Sequence, residues 1–394
     1  MTLKNGYDSR LPAPLKLKPT SKTRDMPIYM DRHDVSDAVT AEIVAQLHQA
    51  DLKIQHEFDC RGLTYWFDEK RKTAFCLVEA PNKQAIQEMH NHAHGEVSHM
   101  IIEVEANIVE SFLGRIEDPE KALNSDLNII NDPAFRTIMV IKWTRKSLKT
   151  KDLIQSDLDI KRYNELIIET LSLFNGRLVK QQKDYFLVSF ESVSNALSCA
   201  LKLQVGFQSF TNNHNPLNIE LKIALSAGLP VTGKDTLFED TIKLAERMCE
   251  TVKAAIIVSS ETKELYESEN YNTVLNSKQV FSLKPEDEIF LNRLINFVDK
   301  IWSEASIKVE DFNKPLGFSK SQLYRKLNAL TGKSLNTFLK EYRLNRALNL
   351  LQLQAGNISE VAFDAGFSSP SYFSKCFRKK FGVYPSDYLS TIKS

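Results

Sequence analysis

The chain has 394 residues, of which 42% are hydrophobic and 26% charged, and its formal net charge is +1 at pH 7. Because a single hydrophobic core rarely grows beyond roughly 250 residues, this length predicts two to four domains. The sequence has no apolar run of the roughly 18 residues that a membrane span requires and no signal-peptide core, so we expect a cytoplasmic protein without a membrane partner. The five cysteines lack CxxC spacing and are expected to be reduced thiols. They are Cys60, Cys76, Cys199, Cys249 and Cys376.

Residues 1–25 are rich in Lys, Pro, Ser and Thr, and we expect them to be a disordered lead-in. Residues 26–115 follow as a first α+β domain. Ser36 is the expected N-cap of its first helix, and Asn82 caps a second helix that continues to about His94. Where apolar and polar positions alternate we predict strands, at residues 27–32, 63–67, 74–79 and 100–104. The resulting β-α-β-β-α-β order is that of a ferredoxin-like split unit.

Histidines are concentrated in this first domain, where seven of the eight lie between positions 33 and 99. His90 and His94 are four positions apart on the predicted second helix, so they share a face, as the paired ligands of helical metal sites do. Imidazole nitrogens suit Zn, Ni, Cu or Fe, and the sequence does not choose among these metals. The alternative interpretation is that the histidines are ordinary surface or core-edge residues without a ligand. The sequence leaves both interpretations open.

Several short segments of the first domain carry a family resemblance. They are Arg32, residues 47–51 (LHQAD), 65–69 (YWFDE), 75–81 (FCLVEAP), and His90 with residues 93–95 (AHG). They resemble a family of small bacterial nickel-binding proteins, which implies a ferredoxin-like fold, a tendency to dimerise and a site for nickel or another transition metal such as zinc. The positions that the resemblance carries over as ligands are His48, His90 and His94. The histidines without a counterpart in the family pattern are His33, His92 and His99.

Residues 134–275 have the periodicity of a second α+β domain. We predict helices at residues 163–174, 192–210 and 241–251, and strands at residues 138–143, 177–180, 185–190, 220–227 and 255–259. Asn175 and Gly176 form the turn that leads into the hairpin of the second and third strands.

Six segments of this domain carry a second resemblance. They are residues 174–180 (FNGRLVK), Asp184, 186–190 (FLVSF), 227–228 (AG), 244–250 (LAERMCE) and 256–259 (IIVS). They resemble the class III adenylate/guanylate cyclase homology domain. In that family two carboxylates hold the two metal ions that cyclise a nucleoside triphosphate.

This sequence departs from the cyclase pattern at the metal positions. Asp184 matches the second carboxylate, but no acidic residue occurs at positions 133–151, where the first should lie. Lys243 replaces the transition-state Asn, whereas Lys180, at the base-reading position, and Arg247 are retained. We therefore expect no catalytic residues and no enzyme activity. The retained side chains are either the remnant of a nucleotide pocket or ordinary residues of a dimerisation unit.

The charge of the chain is distributed unevenly. Residues 319–394 contain 12 Lys/Arg and 4 Asp/Glu, which leaves 39 basic and 46 acidic residues in the rest of the chain. A basic end on an acidic body is typical of a nucleic-acid-binding module joined to other domains. Residues 276–288 are predicted as a linker, and the C-terminal domain, residues 289–394, starts with a lead helix at residues 289–302.

Residues 306–384 contain one pattern twice. The second copy lies 49 positions after the first, which indicates one supersecondary unit used twice. Each copy has a short helix, a glycine turn, a serine N-cap and a second helix with Lys/Arg, the sequence form of a helix-turn-helix whose second helix enters a DNA major groove. The recurring pairs are Val309/Ile358, Phe312/Val361, Leu316/Ala365, Gly317/Gly366, Phe318/Phe367, Ser319/Ser368 and Lys326/Lys375.

The second helix of each copy is the candidate DNA reader. Ser319 is expected to cap it in the first copy, and Ser368 or Ser369 in the second. Apolar positions face inward, and hydroxyl, amide and cationic side chains remain outside for base edges and phosphates. A solvated basic face is the alternative interpretation. The predicted DNA-binding residues are Lys320, Ser321, Gln322, Tyr324, Arg325 and Lys326 in the first copy, and Ser371, Ser374, Lys375 and Arg378 in the second.

The linker helix and the second copy carry the most complete signature. It consists of residues 343–347 (RLNRA), 361–367 (VAFDAGF), 372–374 (YFS), Phe377 and 381–385 (FGVYP). These segments resemble the AraC-type DNA-binding domain over about residues 289–389. The resemblance implies two helix-turn-helix units on one linker helix, reading major-groove faces roughly 34 Å apart. Pro315 removes a helical amide and should end or bend the leading helix of the first copy.

Together these features predict a multi-domain protein, with two α+β ferredoxin-like domains followed by an all-α double helix-turn-helix domain. The main hypothesis is a one-component DNA-binding transcription regulator whose N-terminal domain senses a metal or ligand and whose middle domain dimerises or binds nucleotide. Two alternatives are a metal-regulated nucleotide cyclase and a metal-buffering domain tethered to a DNA-binding domain. The expected partners are double-stranded DNA and a second copy of the chain, bound through the cyclase-like or the N-terminal domain.

Overall fold

A computed structural model describes residues 26–96, 98, 100–120, 126–213, 219–271 and 275–393, and within these ranges the side chains of all but residues 150–156, 211–213 and 392–393. The predicted lead-in, residues 1–25, and His99 lie outside the described residues. The chain has a mixed α/β N-terminal region and a helical C-terminal region. In the described part of the chain, none of the helices combines the length and the apolar character needed to cross a membrane.

The first domain contains an antiparallel four-stranded sheet and three α-helices. They are β1 (Ile28–Asp34), α1 (Ala41–Ile54), β2 (Arg61–Asp68), β3 (Thr73–Glu79), α2 (Lys83–Ala93), β4 (Met100–Val104) and α3 (Ala106–Leu113), with the sheet order β2-β3-β1-β4. Thr40 caps α1 instead of the predicted Ser36, because the Thr40 side chain accepts a hydrogen bond from the Ile43 amide. Asn82 caps α2 as predicted. Helix α3 is missing from the sequence prediction.

Strand β1 lies inside this sheet and separates two cores. Tyr29 packs with apolar residues of α1 and α2, whereas Met30 packs with α3 and with residues of the middle domain. Since successive side chains of a strand point to opposite faces, Asp31 and His33 lie on the helix-covered face and Arg32 lies on the other. One strand therefore has the candidate ligands on one side and the domain interface on the other.

The middle domain is a six-stranded mixed sheet with helices on both faces. Its elements are β5 (Arg136–Arg145), α4 (Thr150–Leu173), β6 (Arg177–Gln182), β7 (Tyr185–Phe190), α5 (Val193–Asn213), β8 (Ile219–Gly228), α6 (Glu239–Thr251), β9 (Ile256–Val258), α7 (Ser260–Glu269) and β10 (Phe281–Ser282). The sheet order is β10-β9-β8-β5-β7-β6. Helices α4 and α5 cover one face and α6 the other. Helix α4 begins well before the predicted residue 163, and α7 and β10 are missing from the prediction.

The C-terminal domain consists of seven α-helices among the described residues. They are α8 (Pro285–Ile301), α9 (Asn313–Leu316), α10 (Lys320–Thr331), α11 (Leu335–Gln352), α12 (Ile358–Asp364), α13 (Pro370–Phe381) and α14 (Pro385–Lys393). Residues 285–288, predicted as part of the linker, form the first turn of α8 with Pro285 at its start. Pro is favoured there because its missing amide has no helical partner in any case.

The two helix-turn-helix units differ in their leading helices. In the first unit a 3₁₀ turn (Val309–Phe312) is followed by α9, which has only four residues and contains Pro315. In the second unit α12 is continuous over seven residues. The break in the first unit agrees with the loss of a helical amide at proline.

One extra residue separates the glycine turn from the N-cap in the second unit. Gly317 and Gly366 occupy equivalent left-handed turns, with φ of +75° and +74°. The side chains that cap the following helices are those of Ser319 and Ser369, each accepting a hydrogen bond from an amide of the first helical turn. Ser369, not Ser368, is therefore the second cap, and the repeat distance increases by one residue at this point.

This insertion changes which residues correspond on the two recognition helices. Counted from the caps, Arg325 corresponds to Lys375, and Lys326 corresponds to Cys376. The pairing of Lys326 with Lys375, which was predicted from the 49-residue repeat, is therefore wrong by one position. One residue of shift rotates a side chain by about 100° around a helix, so the two lysines lie on different faces.

A continuous hydrophobic core joins the three domains. The rings of Phe112 in the first domain and Phe238 in the middle domain lie 5.0 Å apart. Helix α6 of the middle domain packs on α8 of the C-terminal domain, and the buried side chain of Phe290 on α8 extends this contact toward α10. The second helix-turn-helix unit has a separate core that includes Leu148 of the middle domain. Both helix-turn-helix units thus rest on the middle domain.

Candidate metal centre and nucleic-acid interface

Two groups of His and Asp side chains meet between β1, α1 and α2. The first consists of Asp31, His33 and His90, and the second of Asp51, His90 and His94. In each group the candidate ligand atoms lie within 4.8 Å of one another. His90 belongs to both groups because its two ring nitrogens face different carboxylates.

The distances within these groups are those of a connected network. His90 Nε2 lies 2.7 Å from Asp31 Oδ2, and His90 Nδ1 lies 3.1 Å from Asp51 Oδ1. His94 Nε2 lies 3.2 Å from Asp51 Oδ1. His33 Nε2 lies 3.4 Å from Asp31 Oδ2. The helical pair predicted from the sequence is therefore brought together: the His90 and His94 rings lie 5.4 Å apart, and both contact Asp51.

The histidines and aspartates of this network favour each other's charged forms. Burial disfavours the charged form of His90, but Asp31 and Asp51 outweigh burial and raise its pKa to about 10. Burial likewise disfavours ionised Asp31, but His33 and His90 outweigh it and hold the Asp31 pKa far below its usual value. The pKa of Asp51 is lowered in the same way, against its burial, by His90 and His94. Ionised carboxylates therefore lie next to imidazoles inside the domain.

These residues fit a transition-metal ion. His33 Nε2 is buried and has no hydrogen-bond partner in the described structure, although Asp31 is close. A buried polar atom without a partner costs about 1–3 kcal/mol, and coordination to a metal would remove that cost. Imidazole nitrogens and carboxylate oxygens together are a donor set for Ni, Zn, Cu or Fe. The group of Asp31, His33 and His90 has both donor types.

His48 is not brought together with either group. Its Nε2 lies 3.2 Å from Asp118 Oδ2, and its ring packs 4.9 Å from the ring of Tyr65. The geometry thus does not support its predicted role as a ligand. His92 is exposed on α2, and its Nδ1 lies 2.8 Å from the Glu88 carbonyl oxygen.

The two carboxylates of the network were missed by the sequence reasoning. Asp31 and His33 are two positions apart on β1, a spacing that puts both side chains on the same face of the strand. Asp51 lies on α1, three positions after His48, and faces α2. The alternation of Asp31 and His33 is a signal that a search for ligands on strands would have found.

The other face of β1 contacts the middle domain. The Arg32 guanidinium donates a hydrogen bond to the Val231 carbonyl oxygen at 3.1 Å. Arg32 lies between Asp31 and His33 in the chain, so a change in the position of β1 at the histidine cluster also moves this contact.

The three side chains of the possible nucleotide pocket have different surroundings. Lys180 is exposed on the edge strand β6, and Asp184 lies in the turn between β6 and β7. The Arg247 guanidinium instead donates to Asn292 and Asn296 on α8. Arg247 therefore holds the middle domain against the lead helix of the C-terminal domain.

A cluster of charges lies beside α6 on the face of β5 and β7. Lys142 Nζ lies 2.5 Å from Glu250 Oε1, and the Tyr185 hydroxyl donates to Glu246 Oε1 at 2.9 Å. Burial disfavours the ammonium of Lys142, but Glu250 outweighs burial and raises the Lys142 pKa. An ammonium is thus fixed on β5, within the stretch that has no acidic residue.

The first recognition helix, α10, exposes most of its predicted DNA-binding side chains. Arg325 and Tyr324 are exposed and border a groove of about 680 Å³ between α10 and α11. Lys320 is exposed and pairs with Glu310 at 3.0 Å. Ser321 and Gln322 are also exposed, and the Gln322 side-chain oxygen accepts a hydrogen bond from the Ser319 backbone N–H in the capping box.

Lys326 does not belong to this exposed face. Its ammonium lies 2.7 Å from Asp287 Oδ1 on α8, and its side chain is only 20% exposed. It also lies over the ring of Phe290, at 5.6 Å from the ring centroid. The sequence expectation that Lys326 faces DNA is therefore corrected: Lys326 joins α10 to the lead helix.

The second recognition helix, α13, exposes a comparable face. Ser371 and Lys375 are exposed, and Ser374 is half-buried. The Arg378 guanidinium is exposed but rests 4.6 Å from the ring centroid of Tyr384 and donates to its hydroxyl. The sequence reasoning did not select Tyr372, although this ring is 54% exposed in the first turn of α13.

Comparisons with known proteins agree with both ends of the chain. Residues 29–104 match the family model described as nickel responsive protein SCO4226-like, and residues 314–391 match the model described as helix-turn-helix domain. A solved structure of SCO4226 from Streptomyces coelicolor A3(2) is 32% identical, covers 20% of this chain and 94% of that one, and has a TM-score of 0.19.

Two curated relatives share only part of their length with this chain. "Histidine kinase P4" of Formosa agariphila is 40% identical over 102 residues, which are 26% of this chain and 7% of that protein. "Transcriptional regulator SirC" of Salmonella typhimurium is 35% identical over 101 residues, 26% of this chain and 32% of that protein. The chain therefore spans a third or less of the length of these relatives. Its N-terminal domain is therefore similar to the SCO4226-like nickel-responsive proteins, and its C-terminal domain is similar to helix-turn-helix domains of the AraC type.

Proposed function

We propose that the chain is a transcription regulator that binds double-stranded DNA and responds to nickel or a similar transition-metal ion. The observation that carries this proposal is the combination, in one chain, of a duplicated helix-turn-helix with a buried His/Asp cluster, in domains that a hydrophobic core joins. The helix-turn-helix match supports DNA as the partner, and the SCO4226-like match supports nickel as the metal.

The DNA interface would consist of the exposed faces of α10 and α13. Arg325 and Lys375 are the central side chains in this proposal because they occupy equivalent positions after the two N-caps. A cationic side chain at that position reaches base edges or phosphates when the start of the helix enters the major groove. The other proposed contacts are Lys320, Ser321, Gln322, Tyr324, Ser371, Ser374 and Arg378.

The metal site would be the group of Asp31, His33 and His90. Asp51 would then accept the other ring N–H of His90, an arrangement that fixes the tautomer and orientation of metal-binding histidines. His94 would hold Asp51 in place. In this proposal the metal supplies a positive charge that draws β1 and α2 together, and no reaction occurs at it.

The middle domain would connect the two ends without catalysis. Its element order supports the cyclase-like and ferredoxin-like interpretation of this domain, as the β-α-β-β-α-β order supports the ferredoxin-like interpretation of the first. The ion pair of Lys142 with Glu250 opposes binding of a divalent ion at that end of β5, and Arg247 is engaged with α8. We therefore propose that it dimerises the chain and couples the metal site to the DNA-binding units.

The test is a DNA-affinity titration of the full chain with and without Ni²⁺. An operator is first selected from a random duplex library, and its affinity is then measured by fluorescence anisotropy. We expect Ni²⁺ to change the affinity of the wild type but not of His90→Ala. Equal affinities of the wild type with and without metal would reject metal regulation, and failure to select any duplex sequence would reject the DNA-binding function.

A further inference from the structure

Helix α4 has a stripe of exposed side chains on the face that points away from the sheet. Its opposite face, with Ile160, Tyr163 and Ile167, is buried in the core of the middle domain. At about 100° per residue, six exposed residues lie within an arc of about 100°. They are Leu158, Arg162, Glu165, Leu166, Glu169 and Leu173. Leu158 and Leu173, at the two ends of the stripe, are 52% and 75% exposed.

The positions of these six residues along the helix are symmetric about the midpoint between Glu165 and Leu166. Residues equally distant from this midpoint form the pairs Leu158 with Leu173, Arg162 with Glu169, and Glu165 with Leu166. In two antiparallel helices related by a two-fold axis, each residue faces the one equally far from the midpoint on the other helix. Such a pair places leucine against leucine at both ends and arginine against glutamate between them.

The charges of the stripe have no other partner in the described part of the chain. Arg162, Glu165 and Glu169 make no ion pair with any described residue. The apolar surface continues from Leu166 onto α5, where the side chain of Val205 is 53% exposed. The stripe is therefore complementary to itself at its leucine pair and at its arginine–glutamate pair.

We propose that α4 packs antiparallel against α4 of a second copy of this chain, with the two-fold axis between Glu165 and Leu166. This inference deepens the dimerisation part of the proposed function and rests on it. The stripe is about 22 Å long at 1.5 Å per residue. One helix pair buries less than the roughly 1,600 Å² of a standard interface, so we expect a reversible dimer.

A charge-swap experiment on the full chain tests this arrangement. Arg162→Glu places like charges opposite each other at both symmetric contacts, since it faces Glu169 of the partner subunit. Glu169→Arg does the same with the opposite sign. Each single variant should weaken the dimer about tenfold or more in sedimentation velocity, and the double variant should restore it. Lys278→Glu changes the charge by the same amount as Arg162→Glu, at an exposed position elsewhere in the middle domain. This control variant should leave the dimer intact.

Three outcomes would overturn the proposal: a wild-type chain that stays monomeric, single variants that dimerise like the wild type, or a double variant that stays dissociated. Circular dichroism of each variant checks that α4 is folded. The result is separable from the DNA-binding proposal, because one chain contains both recognition helices. DNA binding by a monomeric single variant would support the DNA function, while dimers that select no duplex would reject that function and leave the α4 contact supported.

Discussion

Replacing Arg325 by alanine is the sharpest test of the proposed DNA interface. Arg325 is exposed on α10 and has no ion-pair partner among the described residues, so its loss removes no contact that holds the fold together. A side chain that reaches base edges contributes roughly 1–3 kcal/mol. Because 1.4 kcal/mol is a factor of ten, Arg325→Ala should weaken operator binding about 5- to 150-fold. Lys375→Ala, at the equivalent position of α13, should have a loss of similar size.

Lys326→Ala is the matched control, since it removes a cation from the adjacent position of the same helix. Its ammonium is engaged with Asp287 at 2.7 Å, so we expect operator affinity within about twofold of the wild type. The free energy of unfolding should instead fall by about 0.2–1 kcal/mol, the usual contribution of a partly exposed ion pair. Fluorescence anisotropy and urea unfolding measure the two quantities.

A salt series separates the two kinds of contact. Loss of a phosphate contact should reduce the slope of log affinity against log salt by about 0.9, whereas loss of a base contact should leave the slope unchanged. The proposed interface is refuted if Arg325→Ala and Lys375→Ala bind like the wild type while Lys326→Ala loses affinity. That result would mean that α10 presents its α8-facing side to DNA.

Four further predictions concern the other domains. His33→Ala should abolish Ni²⁺ binding in calorimetry while His48→Ala retains it, and the opposite order would reject the ligand set. Arg32→Met should keep Ni²⁺ binding but remove its effect on DNA affinity, because the hydrogen bond to the middle domain is lost; an unchanged effect would exclude that contact as the route. Incubation with ATP or GTP and Mn²⁺ should yield no cyclic nucleotide, and clear product formation would restore the cyclase alternative. Burial lowers the pKa of Lys380 from 10.5 to about 8, against the influence of Glu341. The charged side chain therefore destabilises the folded state below pH 8, and this destabilisation disappears as the pH rises above 10.5. Lys380→Met should therefore be more stable than the wild type at neutral pH, by up to about 3 kcal/mol, and converge with it in alkaline urea titrations; a constant difference would contradict this.

Local hydrogen bonding explains which elements could be predicted from the sequence. Asn82 and Ser319 were predicted as caps because a short polar side chain satisfies amides within the same turn, whatever the rest of the fold does. Helix α4 was predicted to begin too late because residues 150–162 are mostly polar, and only Ile160 of the described side chains there marks the buried face clearly. Strand β10 has two residues and exists through its pairing with β9, which no local pattern encodes.

The candidate sites depended more strongly on contacts between distant residues. The positions of His90 and His94 on one helix could be predicted, but the carboxylates that they contact could not. Asp31 lies 59 positions from His90, and Asp51 lies 43 positions from His94. Lys326 and Arg325 are both cationic residues of the same predicted helix. Only their different directions around the helix and the location of Asp287 distinguish them. Residue type indicated the chemistry of each site, whereas the tertiary fold selected its members.

The middle domain forms hydrogen bonds with the C-terminal ends of both proposed recognition helices, α10 and α13. The Lys253 amide donates to the Leu330 carbonyl oxygen at 3.0 Å, near the end of α10, and the Leu148 amide donates to the Phe381 carbonyl oxygen at 2.8 Å, at the end of α13. The last carbonyls of a helix have no partner within the helix, so these bonds fix the two C-terminal ends without opposing the helices themselves. The N-terminal ends of the two helices, which we propose face DNA, lie about 18 Å away along each helix. Because one domain anchors both helices and also receives the Arg32 contact, a metal-dependent shift of the first domain would act on the separation of the two readers and thereby on the affinity for a whole operator.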